Sequence, residues 1–513
     1  RAPMAEPVIA LIHPPVAKPS EAPAGIARLT GALTHHGVRC RAIDANIQGL
    51  HHLLHTMPEP RDTWGRRAYR HRDRHLLALR SADTCSSPDR YRRAVADLNR
   101  LLALSAGNSQ QVISLADFQD RQLSPLDSND LITSARVPEA NPFFDYFQRR
   151  LLPELLEWAP TCIGLSINYL SQVLCAFALI GVLRRTLPEV RIVIGGGLVT
   201  SWLQRKTIPV AFSGLIDDLV AGPGESHLLR MAGINAACNP YVPDYSPFTD
   251  ERYLAPGPVL PFSASHGCWW RRCAFCPEHA ERRPFQPLPF SMAVNQLKAL
   301  TRRLHPAMIH LLDNAISPAL LKSLVADPPG APWYGFVRIG APLNSTEFCA
   351  HLAASGCVML KIGLESGDQK VLDALNKGVR IETAVETLHS LHAAGIATYV
   401  YLLFGTPAEE EAAAWRTLQF VADHSAVIDF LNLAIFNLPA NNAEGTDLNV
   451  TDFYKGDLSL YKNFEHPRGW SRPKIRQFLD KQFKRHSRIR PIILNDPPIF
   501  TSNHAAFFPS RKD

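Results

Sequence analysis

The chain lacks long apolar runs and a dense set of cysteines, and each absence excludes a class of protein. No stretch approaches the roughly eighteen consecutive apolar residues that mark a membrane-spanning helix. Residues 1–20 show no basic start, apolar run and small-residue cleavage site, so we expect no secretory signal. Ten cysteines scattered over 513 residues do not form the framework of a small secreted domain. We therefore expect a cytoplasmic protein with no membrane partner.

Length and charge set further bounds. A single core rarely grows beyond about 250–300 residues, so 513 residues predict two or three domains. The net charge of +7 arises from 54 basic and 47 acidic residues, with the surplus in 61–93 and 472–490. Such runs are usually solvated helix faces, and they lack regularly interleaved aromatics or a recognisable RNA-binding module. A nucleic acid is therefore the less favoured partner.

The first 238 residues predict a Rossmann-like α/β domain. Short apolar runs alternate with amphipathic segments, which is typical of a parallel sheet covered on both faces. A polar stretch at about 56–153 is too long for a structureless loop, so it predicts a helical insertion. We expect helices at 25–36 and 172–186. The predicted strands are 8–13, 41–44, 162–167, 191–194 and 218–221.

A proline-rich linker at 239–260 precedes a second alternation, over 261–440. Six strand–helix units predict a partial (β/α)6 barrel of the TIM type, whose chemistry would lie at the carboxyl ends of the strands. Residues 441–513 lack this rhythm and predict a small C-terminal extension that caps the barrel mouth or contacts substrate. The predicted strands are 261–265, 308–312, 333–339, 358–364, 398–404 and 428–436; the predicted helices are 291–304, 319–325, 345–354, 381–394 and 409–424.

Three cysteines with the spacing Cys268-x4-Cys273-x2-Cys276 follow the first barrel strand. A [4Fe–4S] cluster is usually held by four thiolates, so three would leave one iron free to bind a small molecule. The alternative is a zinc site, which usually has four ligands in paired C-x2-C units. No second pair follows, because Cys349 and Cys357 stand too far apart and are interpreted as ordinary buried thiols.

Several barrel strands end in polar residues or glycines. Asp313 follows the second strand, Glu365 and Ser366 follow the fourth, and Gly405 follows the fifth. Glycine permits close approach of a ligand to the backbone, and carboxylates can bind an ammonium group or ribose hydroxyls. Each signal is weak alone, because a carboxylate after a strand is more often a helix cap. Their order behind the cysteine loop favours a shared site.

This combination resembles the radical S-adenosylmethionine (SAM) superfamily over about 261–439, although its common cysteine spacing is one residue shorter in the first gap. The resemblance implies reductive cleavage of SAM to methionine and a 5′-deoxyadenosyl radical, with an external electron donor. It also implies that Phe275 packs beside the adenine. The implied cluster ligands are Cys268, Cys273 and Cys276, and the other implied SAM contacts are Asp313, Arg338, Glu365, Ser366 and Gly405.

Glycine-rich strand ends in the first domain resemble the cobalamin-binding domains fused to radical SAM enzymes. The best-known cobalamin motif, D-x-H-x-x-G, supplies a histidine below cobalt, but this chain has Asp44-x-Asn46 in a matching pattern. Asn46 is a poor cobalt ligand, so either cobalt lacks a protein nitrogen or cobalamin binding is lost. The residues implied to contact cobalamin are Asn46, Ser166, Gln172, Gly195, Gly196, Gly222, Gly224 and Glu225.

The resemblance implies a cobalamin-dependent radical enzyme that methylates an unactivated carbon of a peptide or small-molecule natural-product precursor. One alternative is a non-methylating radical oxidation, cyclisation or rearrangement. A tRNA-modifying enzyme and a non-catalytic cluster protein are further alternatives from other classes. No general acid or base is identified from the sequence.

Overall fold

The computed structural model describes residues 7–107, 109–205, 212–236, 240–443 and 446–508. None of the helices in these ranges is long and apolar enough to cross a membrane. The chain divides into two compact units. The first contains Arg1–Thr84, Asp89–Ala255 and Tyr454–Leu460, and the second contains Cys85–Pro88, Pro256–Phe453 and Tyr461–Asp513. The change of unit after Ala255 lies within the predicted linker, and the predicted boundaries at 238 and 440 stay predictions.

The first unit is built on a five-stranded parallel sheet with the order β2-β1-β5-β6-β7. Its central strands are apolar on both faces because helices cover both sides. In register, Ile9 of β1 lies between Cys40 of β2 and Cys162 of β5. The predicted strands are all present: the first has the predicted bounds, the other four differ at one end by one or two residues, and the last is two residues shorter than predicted. The bounds are β1 Val8–His13, β2 Arg39–Asp44, β5 Cys162–Ser166, β6 Arg191–Gly195 and β7 Asp218–Leu219.

Helices and one hairpin complete this unit. The predicted insertion is mostly helical, but it also contains the antiparallel hairpin β3–β4, which the sequence analysis missed because three-residue strands carry no clear period. Gly181 lets two helices touch, since a Cβ there would lie 1.9 Å from the Ala135 carbonyl oxygen. The bounds are α1 Ala24–His35, α2 Ala45–Thr56, α3 Thr63–Arg70, α4 Arg72–Ala78, α5 Pro88–Ser105, β3 Gln111–Ile113, β4 Phe118–Asp120, α6 Ser128–Arg136, α7 Phe144–Tyr146, α8 Leu152–Trp158, α9 Leu170–Thr186, α10 Gly197–Leu203 and α11 Glu225–Met231.

The second unit is built on a six-stranded parallel sheet with the order β8-β11-β12-β13-β14-β15. The first and last strands do not pair with each other, so the barrel is incomplete, as the sequence predicts. The first strand was predicted at 261–265 but lies two residues earlier. Its bounds and those of its partners are β8 Val259–Phe262, β11 Met308–Leu311, β12 Trp333–Val337, β13 Cys357–Glu365, β14 Ala397–Phe404 and β15 Phe430–Ile435.

Helices follow the barrel strands, and the C-terminal region packs on the barrel. Phe404, at the end of β14, contacts the rings of Phe478 and Phe483. The bounds are β9 Ser265–His266, α12 Pro277–Ala280, β10 Gln286–Pro287, α13 Phe290–Leu304, α14 Pro318–Ala326, α15 Thr346–Ala354, α16 Gln369–Ala374, α17 Ile381–Ala393, α18 Glu411–Asp423, β16 Leu438–Pro439, α19 Ala440–Ala443, β17 Val450–Asp452, β18 Tyr461–Phe464, α20 Arg472–Phe478, α21 Arg490–Asn495 and α22 Thr501–His504.

Candidate functional site

The cysteine loop lies between the short strands β9 and β10, directly after β8. Gly267 begins the loop with φ of +71°, and a Cβ there would lie 2.3 Å from the Pro284 carbonyl oxygen. Buried Asp313, after β11, accepts hydrogen bonds from the Ala264 amide at 3.1 Å and from the Ser265 hydroxyl. Asp313 therefore fixes the base of the loop, and its predicted contact with SAM stays a prediction.

The three loop cysteines have the donor chemistry of an iron–sulfur site. Cys273 is 8% exposed, and burial raises the pKa of its thiol, while the charges of Lys377 and Arg338 lower it. Burial raises the pKa of Cys276 to about 11. Both thiols therefore need a strong cationic partner to ionise at neutral pH.

The cysteines have the number and chemistry of the thiols that a [4Fe–4S] cluster with one open iron uses. Within the described ranges, no three histidine, cysteine, aspartate or glutamate side chains are placed to hold one ion. The thiolates of a [4Fe–4S] cluster bind different irons. Cys268 and Cys276 are partly exposed and Cys273 is buried, so the loop presents thiols from one strand end. These three residues would hold the cluster.

Arg338 directly follows β12 and points to this loop. Its Nη1 lies 3.6 Å from Cys273 Sγ, and its Nη2 donates to the Lys377 carbonyl oxygen. The guanidinium also stacks on Trp270, with Cζ 4.2 Å from the ring centroid, and lies 5.7 Å from the Trp269 ring. The structure thus places Arg338 at the cluster loop; its predicted contact with SAM stays a prediction.

Glu365, at the end of β13, forms a buried ion pair with Lys377. Glu365 Oε1 accepts from Lys377 Nζ at 2.8 Å. Glu365 also has φ of +70°, an uncommon backbone conformation for a residue other than glycine. Gly363 leaves room for the pair, because a Cβ there would lie 2.7 Å from Glu365 Oε1. Lys377 was not predicted as a site residue, because nothing near it in sequence indicates the pairing.

Phe275 lies beside this ion pair. It packs against Val371, Leu375 and Ala413, and Lys377 Nζ lies 5.5 Å from the centroid of its ring. The aromatic ring is therefore held between an apolar cluster and a cation, close to the loop cysteines in sequence. Its predicted place beside the adenine stays a prediction.

The loop after β14 carries a buried carboxyl group, Glu409, to which the sequence alone assigned no role. Glu409 Oε2 accepts from the Gly405 amide at 2.5 Å and from Trp470 Nε1 at 2.9 Å. Burial raises the pKa of Glu409 to about 7. Gly405 has φ of +79°, and a Cβ there would lie 2.4 Å from Ile475. The C-terminal region therefore helps to shape the strand end that contains Gly405.

Ser366 is fully buried and serves the local backbone. Its hydroxyl accepts from the Asp368 amide at 3.1 Å and lies 3.2 Å from the Thr417 hydroxyl. These contacts fix the turn into α16. Its predicted contact with SAM stays a prediction.

In the first unit, the strand order reverses between β1 and β5, and ligands of such sheets bind where the order reverses. Gln172 bridges the loops on both sides of this point. Its Oε1 accepts from the amides of Asn168 and Tyr169, and its Nε2 donates to the Pro14 carbonyl oxygen at 2.8 Å. His13 lies 3.4 Å from the same Nε2, and burial lowers the pKa of His13 to about 4. His13 is therefore neutral at pH 7.

Two of the predicted glycines lie where neighbouring loops approach closely. Gly196 has φ of +109°, and a Cβ there would lie 2.4 Å from the Ile167 carbonyl oxygen. The Gly222 amide donates to the Thr200 hydroxyl. The remaining predicted contacts lie on the same strand ends: Gly195 ends β6, Ser166 ends β5, Gly224 precedes α11, and Glu225 pairs with Arg28 at 2.8 Å.

Asn46 is separate from this reversal, because it follows the outer strand β2. Its Oδ1 accepts from the Ala17 amide and its Nδ2 donates to the Ala17 carbonyl oxygen, both at 2.9 Å. Asn46 is buried, and its amide group is occupied in holding the loop after β1. Its predicted contact with cobalamin stays a prediction. Its proline-rich partner loop was not singled out by the sequence analysis.

Comparison with known proteins shows which family the barrel residues match. Residues 262–421 match the model of the Radical SAM superfamily. The barrel is a radical SAM domain. No curated protein matches the chain in sequence.

Solved structures extend the likeness to both units. A radical SAM methyltransferase, TsrM from Kitasatospora setae with cobalamin and a [4Fe–4S] cluster bound, has a TM-score of 0.50 and 15% identity over 85% of this chain and 76% of its own. The cobalamin-dependent SAM radical enzyme OxsB, with aqua-cobalamin and SAM bound, has a TM-score of 0.56 and 14% identity over 93% and 67%. The chain therefore has the fold of these two enzymes, which confirms the predicted fold class.

Proposed function

We propose that this chain is a cobalamin-dependent radical SAM methyltransferase that acts on an unactivated carbon of a peptide or small-molecule natural-product precursor. Its cofactors are a [4Fe–4S] cluster, SAM and cobalamin. The observation that carries the proposal is the three-thiol loop directly after the first strand of a six-stranded radical SAM barrel.

Each part of the chain has a distinct task in this proposal. Cys268, Cys273 and Cys276 would hold the [4Fe–4S] cluster, which would supply the electron for SAM cleavage. Asp313 holds the base of the loop, and the Glu365–Lys377 pair borders the side on which Phe275 lies. Burial of these groups excludes water from the reacting atoms, as radical chemistry requires.

The first unit supports cobalamin binding by its shape. The loops that meet where β1 and β5 diverge are held by a neutral amide, Gln172, and closely approach at Gly196. Both structural neighbours, TsrM and OxsB, are described with cobalamin bound. The donor of the cluster electron is an external reductant. A reducing cytoplasm would keep the nine described cysteines, which form no disulfide, as thiols.

Product analysis tests the proposal. The chain is reconstituted without oxygen with iron, sulfide and hydroxocobalamin, then given SAM and a strong reductant, and the products are identified by mass spectrometry. Formation of both 5′-deoxyadenosine and S-adenosylhomocysteine would support a methyltransferase, because one SAM makes the radical and a second restores the methyl group on cobalamin. Formation of neither would contradict the proposal.

A second candidate is a non-methylating radical oxidation, cyclisation or rearrangement. The likeness to OxsB keeps it open, because OxsB is described as a cobalamin-dependent SAM radical enzyme, whereas TsrM is described as a methyltransferase. In the same experiment, 5′-deoxyadenosine without S-adenosylhomocysteine would favour this second function.

A further inference from the structure

The cluster loop is one residue longer than is common in its superfamily, and its tryptophan Trp270 anchors the extra length. Trp270 Nε1 donates to the Asn376 carbonyl oxygen at 3.0 Å. Its ring lies against Gly378, where a Cβ would come within 2.2 Å of the ring. The loop is therefore held from the turn after α16, and this contact requires glycine at position 378.

Arg338 packs on the face of the Trp270 ring. Its guanidinium Cζ lies 4.2 Å from the Trp270 centroid, so the ring face fixes its orientation by a cation–π contact. Its Nη2 is held by the Lys377 carbonyl oxygen, which leaves Nη1 directed to Cys273 Sγ at 3.6 Å. The guanidinium is therefore held by the Trp270 ring and by the Lys377 carbonyl oxygen, and its Nη1 faces the Cys273 sulfur.

The charge of Arg338 acts where it is poorly screened. The residue is 9% exposed, and its hydrogen-bond acceptors are a carbonyl oxygen and a sulfur. The nearby cation Lys377 is paired with the Glu365 carboxylate, so its charge is largely offset. Charge and hydrogen bonds to cluster sulfurs are among the factors that set the reduction potential of an iron–sulfur cluster.

We propose that Arg338, oriented by Trp270, raises the reduction potential of the cluster through its contact with the Cys273 sulfur, and so acts as a positioning residue for electron entry. When an external one-electron donor reduces the cluster from the 2+ to the 1+ state, negative charge grows on the cluster and its thiolates. A fixed cation at 3.6 Å from one thiolate stabilises that added charge. The inference rests on the proposed function, because it requires a [4Fe–4S] cluster on this loop.

The test is an EPR-monitored redox titration of the reconstituted full chain before SAM is added. In Arg338→Gln, we expect the ratio of reduced to oxidised cluster at the wild-type midpoint to fall about tenfold. For a one-electron couple, tenfold corresponds to a midpoint about 59 mV more negative. Iron and sulfide contents should equal those of the wild type.

Arg272→Gln is the matched control. Arg272 lies on the same loop, is exposed, and has its Cζ 5.2 Å from the Trp270 centroid. Removing this charge should leave the midpoint unchanged. An unchanged midpoint in Arg338→Gln, or equal shifts in both variants, would overturn the inference.

A conservative variant covers the case in which Arg338→Gln assembles no cluster. Arg338→Lys keeps the charge but loses the planar contact, so its midpoint should be more negative than that of the wild type, by less than the shift expected for Arg338→Gln. A Lys midpoint below that of the wild type supports the inference, and an equal one overturns it. A wild-type chain without any [4Fe–4S] signal would overturn the proposed function itself, which is distinct from failure of the Arg338 inference.

Discussion

The strand ends of the two units differ in the chemistry that they present. Around the barrel loop stand three thiols, two buried cations, Arg338 and Lys377, and two buried carboxyl groups, Asp313 and Glu365. At the reversal in the first unit stand glycines and a bridging amide, Gln172, with a neutral histidine beside it. The barrel is therefore suited to a group whose charge changes during the reaction. The first unit is suited to a bulky ligand held by shape and backbone contacts.

The largest expected effect is loss of the cluster. Cys273→Ala should abolish cluster assembly and all formation of 5′-deoxyadenosine, because two thiolates cannot replace three on the loop. Iron analysis and mass spectrometry measure both. Cys40→Ala, a change at a partly exposed thiol of the first unit, should retain full iron content. A Cys273→Ala chain that still made 5′-deoxyadenosine would remove Cys273 from the ligand set.

The next effect concerns the buried ion pair. Glu365→Ala leaves the Lys377 charge buried without its partner, which typically costs about 3–5 kcal/mol of stability. We also expect weaker SAM binding with iron content intact, measured by equilibrium dialysis on the reconstituted chain. Arg380→Ala breaks the exposed Arg380–Glu382 pair and should cost about 0–1 kcal/mol. Unchanged SAM affinity in Glu365→Ala would exclude Glu365 from the SAM site.

Stability of the barrel should depend on pH through Glu409. Its pKa is raised from 4.5 to about 7 in the folded state, so the folded protein holds a proton that the unfolded chain has released. The neutral carboxyl group therefore stabilises the fold below pH 4.5, and the unfolding free energy falls as pH rises from about 4.5 to 7, by about 3 kcal/mol in total.

Thermal unfolding measures this dependence. The Tm of the wild type should fall relative to that of Glu409→Gln between pH 4.5 and 7, since Gln stays neutral throughout. Glu411→Gln, at an exposed carboxylate two residues away, should show the wild-type dependence. Parallel Tm curves for wild type and Glu409→Gln would contradict the assignment.

The smallest expected effect concerns a glycine contact in the first unit. Gly196→Ala places a Cβ 2.4 Å from the Ile167 carbonyl oxygen and at positive φ, which costs about 1–3 kcal/mol and separates two loops. Cobalamin affinity should fall while iron content is unchanged, as measured by visible absorption and iron analysis. Gly37→Ala has the same sign of φ but no atom within 4 Å, so it should retain cobalamin affinity. Equal affinity in both variants would remove Gly196 from the cobalamin site.

Much of the fold was predictable because its strands are buried on both faces. The run Val8–His13 is almost continuously apolar, and such runs identify parallel strands without a structure. The two-residue strands that flank the cysteine loop could not be predicted, because they have no period. The start of β8 was missed by two residues, since prolines surround it and hide the apolar pattern.

The site was predictable only where its residues are close in sequence. The three cysteines show their role by spacing alone. The Glu365–Lys377 pair and the contact of Arg338 with Trp270 depend on how β12, β13 and the cysteine loop meet, and no local pattern indicates them. Glu409 likewise looks like an ordinary residue at the start of a helix until burial against Trp470 is seen.

The most direct test of the account is the metal content of the full chain after anaerobic reconstitution with iron, sulfide and hydroxocobalamin and removal of unbound material. The account predicts about four iron atoms per chain, together with cobalt in an equimolar ratio to the chain. Iron without cobalt would contradict the assignment of a cobalamin site to the first unit, and cobalt without iron would contradict the cluster assignment of the barrel loop.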